Sequence, residues 1–287
     1  MRTVTRRSFL KWGSALLGPL FVRGNLLLPQ RIGAQSEEAY HQDNGTLHTS
    51  IGQSFLGEKL TYSAEFLWFK RVVTIETSFE ALPQDKQFLG TVKGQTHGFI
   101  GLATWFRRDI LTCRMEEVDG GKRLRPLECR DDVIIGSRQR KALTVFDYSA
   151  GQVMITREKD NKVRQKTIPI PQGETFYDPI SGSYNFRFGS FGPIERGREY
   201  VIKTVPKKNF TSIRINIASP EEEEKRRSTS STFDDKAYFI TLQVNKDLVR
   251  SKAGIIEGWL SSKLVPTEGR VRDVIFFGDV IGKLNTL

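Results

Sequence analysis

The sequence predicts a mainly β protein: a curved antiparallel sheet or partly open barrel, crossed by one short helix. Three observations carry that expectation. Leu60, Tyr62, Ala64, Phe66 and Trp68 alternate with Thr61, Ser63, Glu65 and Leu67, and Val73, Ile75, Thr77 and Phe79 then share one parity. A period of two marks strands with one face in a core. Similar runs recur down the chain, separated by short polar turns and without the strand-helix alternation of a parallel α/β sheet. A single segment reads clearly as a helix.

Taken in order, further strands are expected at Phe88 to Val92, Thr104 to Met115, Lys141 to Tyr148, Gln152 to Glu158, Tyr200 to Val205, Ser212 to Ile217, Ala237 to Val244, Gly254 to Leu260 and Arg270 to Leu284. Asp119-Gly120-Gly121-Lys122 is a hairpin turn signal. A three-residue or bulged loop centred on Gly121 places Cys113 opposite Cys129. A cross-strand disulfide is the favoured reading of this pair; two separately buried thiols, or a metal or redox pair, are the alternatives. The further ligands that zinc needs do not accompany it. The helix is expected at Asp178-Pro179-Ile180-Ser181, where aspartate can cap and proline suits the first turn. Ile180, Tyr184 and Arg187 then share one face, either packing across the sheet or closing a cavity as a lid. Ser181 reads as a first-turn residue of that helix.

At the start of the chain, Thr5-Arg6-Arg7-Ser8-Phe9-Leu10-Lys11 resembles the twin-arginine export signal, with Arg6 and Arg7 as its diagnostic pair. The apolar run from Trp12 to Val22 is shorter than the roughly 20 residues of a spanning helix. The expected organisation is a signal over residues 1–34, a flexible polar lead-in over 35–54 and a single β-rich domain over 55–287. The motif implies the twin-arginine translocase as partner during export and a periplasmic, soluble protein after cleavage, in a compartment where a disulfide persists. Loss of residues 1–34 removes six basic and no acidic side chains, which lowers the net charge from +11 to +5. No basic cluster with interleaved aromatics tracks a nucleic-acid backbone, and no later apolar stretch has membrane-spanning length, so neither nucleic acid nor a stable membrane span is expected.

Gly57-Glu58-Lys59-Leu60-Thr61-Tyr62, Arg138 to Asp147, Tyr177-Asp178-Pro179-Ile180-Ser181 with Tyr184 and Arg187, and Gly258-Trp259-Leu260-Ser261 through Pro266 to Gly282-Lys283-Leu284 together resemble the bacterial exported family described as domain of unknown function 3108. The resemblance covers nearly all of residues 55–287. It implies a β-rich exported domain and brings no established reaction and no catalytic residues. Two stretches depart from the family pattern. Ser261-Ser262-Lys263 stands where the family carries an aspartate pair, and Pro220 to Thr232 is a charged, low-complexity loop, read as a solvated hairpin excursion or a docking arm.

Catalytic groupings are not apparent: nucleophile elbow, zinc-protease motif and phosphate loop are all missing from the sequence. Asp131 and Asp132 are neighbours on a strand and point to opposite faces. His41 and His48 fall in the lead-in, and His97 sits in a turn without an evident partner. An enzyme is not expected, nor a cofactor or metal. The aromatics Trp68, Trp105, Tyr184, Phe186 and Trp259 exceed what a thin sandwich needs and suggest an apolar groove, with ordinary core packing as the competing reading. The expectation is a non-catalytic periplasmic protein that binds a lipidic or amphipathic envelope component. The alternative is an envelope scaffold or assembly factor that binds another protein through a sheet edge or the 220–232 loop, and an enzyme acting on surface polysaccharide ranks third.

Overall fold

The structure, a computed structural model, describes residues 50–66, 69–160, 162–207, 210–227, 237–243, 251–274 and 278–286. The signal with Arg6 and Arg7, most of the lead-in, and Trp68 lie outside the described residues. Fourteen strands form one antiparallel sheet: β1 (Lys59–Phe66), β2 (Phe69–Ala81), β3 (Gln87–Thr96), β4 (Arg108–Val118), β5 (Arg123–Ile135), β6 (Arg138–Asp147), β7 (Gln152–Lys159), β8 (Lys162–Pro169), β9 (Glu199–Lys207), β10 (Phe210–Ile217), β11 (Tyr238–Gln243), β12 (Ile255–Leu260), β13 (Pro266–Val274) and β14 (Gly278–Thr286). Neighbours in sequence are neighbours in the sheet, from β1 to β8 on one side and from β9 to β14 on the other. The pairing of β1 with β14 joins the two halves.

The sheet is nearly closed into a barrel. Register shifts interrupt several pairings, by two residues between β1 and β2 and by one between β4 and β5 and between β12 and β13, and such bulges add bend and twist to a sheet. β8 and β9 remain as edges. At one end the gap between them is covered by Phe176 and Tyr177: Tyr177 makes a parallel bridge to Thr204, and Phe176 packs with Phe146, Val153, Ile168 and Val205.

The β4–β5 hairpin pairs Cys113 with Cys129, Cα to Cα 4.1 Å, and the two are joined as a disulfide. The route differs from a loop simply centred on Gly121. The turn itself, Asp119 to Lys122, sets Val118 against Arg123 and Met115 against Pro126. Continued unchanged, that register would bring Glu128 opposite Cys113. The shift between Arg114 and Met115 moves it by one and turns Cys129 to the inner face, because a one-residue slip exchanges the faces of a strand.

Four α-helices accompany the sheet among the described residues: α1 (Ile51–Phe55), α2 (Gly98–Ala103), α3 (Pro179–Phe188) and α4 (Pro220–Arg227). α3 forms where the sequence placed it. Asp178 accepts from the backbone N–H groups of Ile180 and Ser181, and the Asp178 N–H donates to Ser181 Oγ, a reciprocal capping box. Gly189 ends the helix in the left-handed conformation. The helix plugs one end of the barrel: Ile180 and Tyr184 pack among Phe79, Phe88, Cys113 and Met115, and Phe186 packs on the other side against Tyr200, Ile202 and Ile213.

Three expectations are corrected. The lead-in ends earlier than residue 54: Ser50 caps α1, and Ile51 is fully buried beside Phe79 and Phe88. Pro220 to Arg227 is a helix docked on its own sheet, not a solvated loop. Buried Glu223 accepts from Arg196 Nε at 2.9 Å and from the Phe239 N–H, and Arg226 donates to Glu257 at 2.9 Å. Residues 228–232 of that stretch lie outside the described residues. His97 has a partner: its Nε2 lies 3.0 Å from Thr74 Oγ1 at the start of α2.

A candidate ligand chamber

The inward parity of β1–β4 and β11–β14, closed above by α3, encloses a cavity of about 230 Å³. One water needs roughly 10–15 Å³ on the same measure, so the space is far larger than a packing defect. Its walls are mostly aliphatic, with Leu60, Val73, Ile75, Val92, Leu111 and Val271 among them. Close-packed interiors hold few voids of this size.

Charge enters the chamber at two places. Near the plug, Arg187 on α3 donates to both oxygens of Glu58, at 2.8 and 2.5 Å, and its Nε donates to the carbonyl of Leu264 at 2.9 Å. Burial disfavours the Arg187 cation, but Glu58 more than compensates and holds the guanidinium above its ordinary value. Tyr62 and Tyr184 stand beside this pair, and burial pushes both phenols well up, so they are neutral hydroxyls. The helix is fastened a second time at Asn185, fully buried, whose side chain accepts from the Leu124 N–H and donates to the Leu124 carbonyl. These bonds make α3 a fixed packing element.

Toward the other end, buried Arg107 donates to both oxygens of Asp109 at 2.8 and 2.7 Å. Burial raises Asp109 to about 6 despite that bridge, with Asp131 adding a smaller like-charge push. Asp131 is raised in the same way, while Asp132 points outward and accepts from Gln139. The two adjacent carboxylates therefore do not converge.

The residues singled out from the sequence separate into distinct roles. Tyr184 lines the chamber. Trp259 borders it only through its strand: its ring lies on the other face of β12, packed on Phe239 at 5.1 Å and under Arg227 of α4. Phe186 does not: it faces the opposite side of α3, edge-on to Tyr200 at 5.4 Å. Trp105 is 56 % exposed on the connection between β3 and β4, beside Phe99, Leu102 and Phe106, and is not part of the lining. Asp178 and Ser181 cap α3, and Arg187 secures it. Cys113, Cys129 and Asp178 bring ligand-type atoms within 4.8 Å, but the two sulfurs are spent on each other, so the set offers no thiolate donor. No family model, no curated protein and no solved structure matches the chain.

The sequence reading missed Glu58 and Tyr62 as site residues. Tyr62 was visible as an inward position of β1, on the parity of Leu60 and Ala64. Glu58 had no local signal, because its partner Arg187 is supplied by a distant helix.

Proposed function

We propose that this is an exported, non-catalytic binding protein that holds the apolar part of a lipidic or amphipathic envelope component inside the barrel. The observation that carries the reading is the chamber: about 230 Å³ of apolar space that the plug helix leaves unfilled. Filling such a void with side chains would stabilise the core, and a hydrocarbon tail gains the same burial, about 0.8 kcal/mol per methylene. The chamber's carboxylates are occupied by arginines, which suits retention of a ligand more than proton transfer to one. Kinship with domain of unknown function 3108 and passage through the twin-arginine route belong to the same proposal.

Native mass spectrometry of the mature protein purified from its own envelope fraction tests it, followed by denaturing extraction. A stoichiometric amphiphile supports the proposal and names the ligand; an empty protein that also fails to retain added lysolipids sinks it. Export is tested separately: paired Arg6→Lys and Arg7→Lys replacement is expected to keep the precursor in the cytoplasm, as read by fractionation.

A further inference from the structure

The inner face of β6–β8 has a chemistry opposite to that of the chamber it adjoins. Phe146, Val153 and Ile168 fix which parity faces inward, and the pairings of β6 with β7 and of β7 with β8 run without a register shift. The same parity therefore carries Arg140, Arg157, Lys159, Lys162, Arg164 and Lys166. Arg140 lies opposite Lys159 and Lys159 opposite Lys162, while Arg157 lies opposite Arg164. Like charges directly across a ladder are destabilising. Lys159 approaches Asp160 at 4.0 Å; among the described residues the other five make no ion pair within 4.0 Å, although Arg140 and Arg157 attract the Asp131 carboxylate on the same face and Arg140 also that of Asp109. The outward parity of the same strands is less charged and includes exposed Met154 and Val163.

Protection of an edge strand by lysine accounts for cations on β8. It does not account for Arg157 and Arg140, one and two strands farther in, or for their confinement to the inner face. The rows also lead into the chamber. Asp109 pairs with Val133, which pairs with Arg140, and Leu111 pairs with Asp131, which pairs with Ala142 and so with Arg157. Asp109 and Leu111 line the cavity. At a strand spacing of about 4.8 Å, the cations begin roughly 10 Å from its wall.

We infer that this cationic inner wing binds the anionic headgroup, phosphate or carboxylate, of the amphiphile whose apolar tail occupies the chamber. The inference rests on the chamber reading proposed above. Guanidinium groups grip such oxyanions with paired hydrogen bonds, and a bound anion relieves the repulsion built into the ladder.

The test uses three probes on the mature protein by titration calorimetry: lysophosphatidylglycerol, lysophosphatidylcholine with the same acyl chain, and glycerol phosphate. The expected result is a preference of roughly tenfold or more for the anionic lysolipid, weakening with added salt. Paired Arg157→Glu and Arg164→Glu replacement abolishes that preference, whereas the outward Lys141→Glu control preserves it; circular dichroism verifies folding. Equal affinity for the two lysolipids overturns the headgroup site and leaves the chamber standing. Failure of both lysolipids overturns the chamber reading, and the inference with it, and binding of glycerol phosphate alone has the same consequence while revealing a site for free phosphate esters.

Discussion

The chamber side and the β6–β8 wing obey the same geometric rule and apply it to opposite ends. On β1–β4 the inward parity is mostly apolar and borders a void; on β6–β8 it begins apolar at Phe146, Val153 and Ile168 and becomes cationic within a few residues. The chamber is closed by a helix with two polar fastenings, whereas the wing lies open. A sheet can thus place solvent-averse and anion-seeking surfaces on one continuous concave face, simply by changing which residue types occupy one parity.

The largest expected effect breaks the chamber side. Arg187→Ala leaves Glu58 buried without its guanidinium and removes the anchor to Leu264. Loss of a partner from a buried ion pair costs about 3–5 kcal/mol, and chemical denaturation should show a loss of that size.

Next comes the proton balance of Asp109. With its folded value near 6 and an ordinary unfolded value near 3.8, the native state holds this proton more tightly. Its contribution is complete below the unfolded value and is lost as pH rises toward and through about 6. The decline is on the order of 3 kcal/mol at about 1.4 kcal/mol per pH unit. Comparing wild type with Asp109→Asn in denaturation series between pH 4 and 7 should show the variant lacking that decline; parallel curves would refute the assignment.

Ile75→Trp sharpens the comparison from inside. It places an indole in the void, and because space is available the cost should stay near 1 kcal/mol or below, less than usual for an overpacked core. Lysolipid retention should nevertheless be lost, as native mass spectrometry can read. The smallest effect lies on the wing: Arg164→Glu puts a carboxylate opposite Arg157 and should stabilise the protein by about 0.5 kcal/mol, seen as a slightly higher thermal midpoint. A residue present only for structure would not improve stability on removal.

Much of the fold could be read from the sequence because apolar alternation survives on most strands, and α3 was legible through its cap, proline and spacing. β8 escaped that reading. Its inward residues Lys162, Arg164 and Lys166 invert the usual pattern, and only Ile168 is buried, so period two was present without the hydrophobic contrast that reveals it. The candidate site was legible in part. Counting aromatics identified Tyr184 but not which parity each ring occupies, and so it included Phe186, Trp105 and Trp259. A barrel interior is lined by whatever its inward parity supplies, here mainly aliphatic residues. The Glu58–Arg187 pair could not be read locally, since only the folded plug brings its members together.

The pairing of β1 with β14, which sets Tyr62 opposite Leu284, also governs when this molecule can exist. The two strands at the extremes of the sheet's sequence lie side by side in its middle, so each half displays an open edge until β14 has been synthesised. Folding must therefore be completed after translation of nearly the whole domain, and any truncation that removes β14 splits the sheet at its centre instead of trimming its margin.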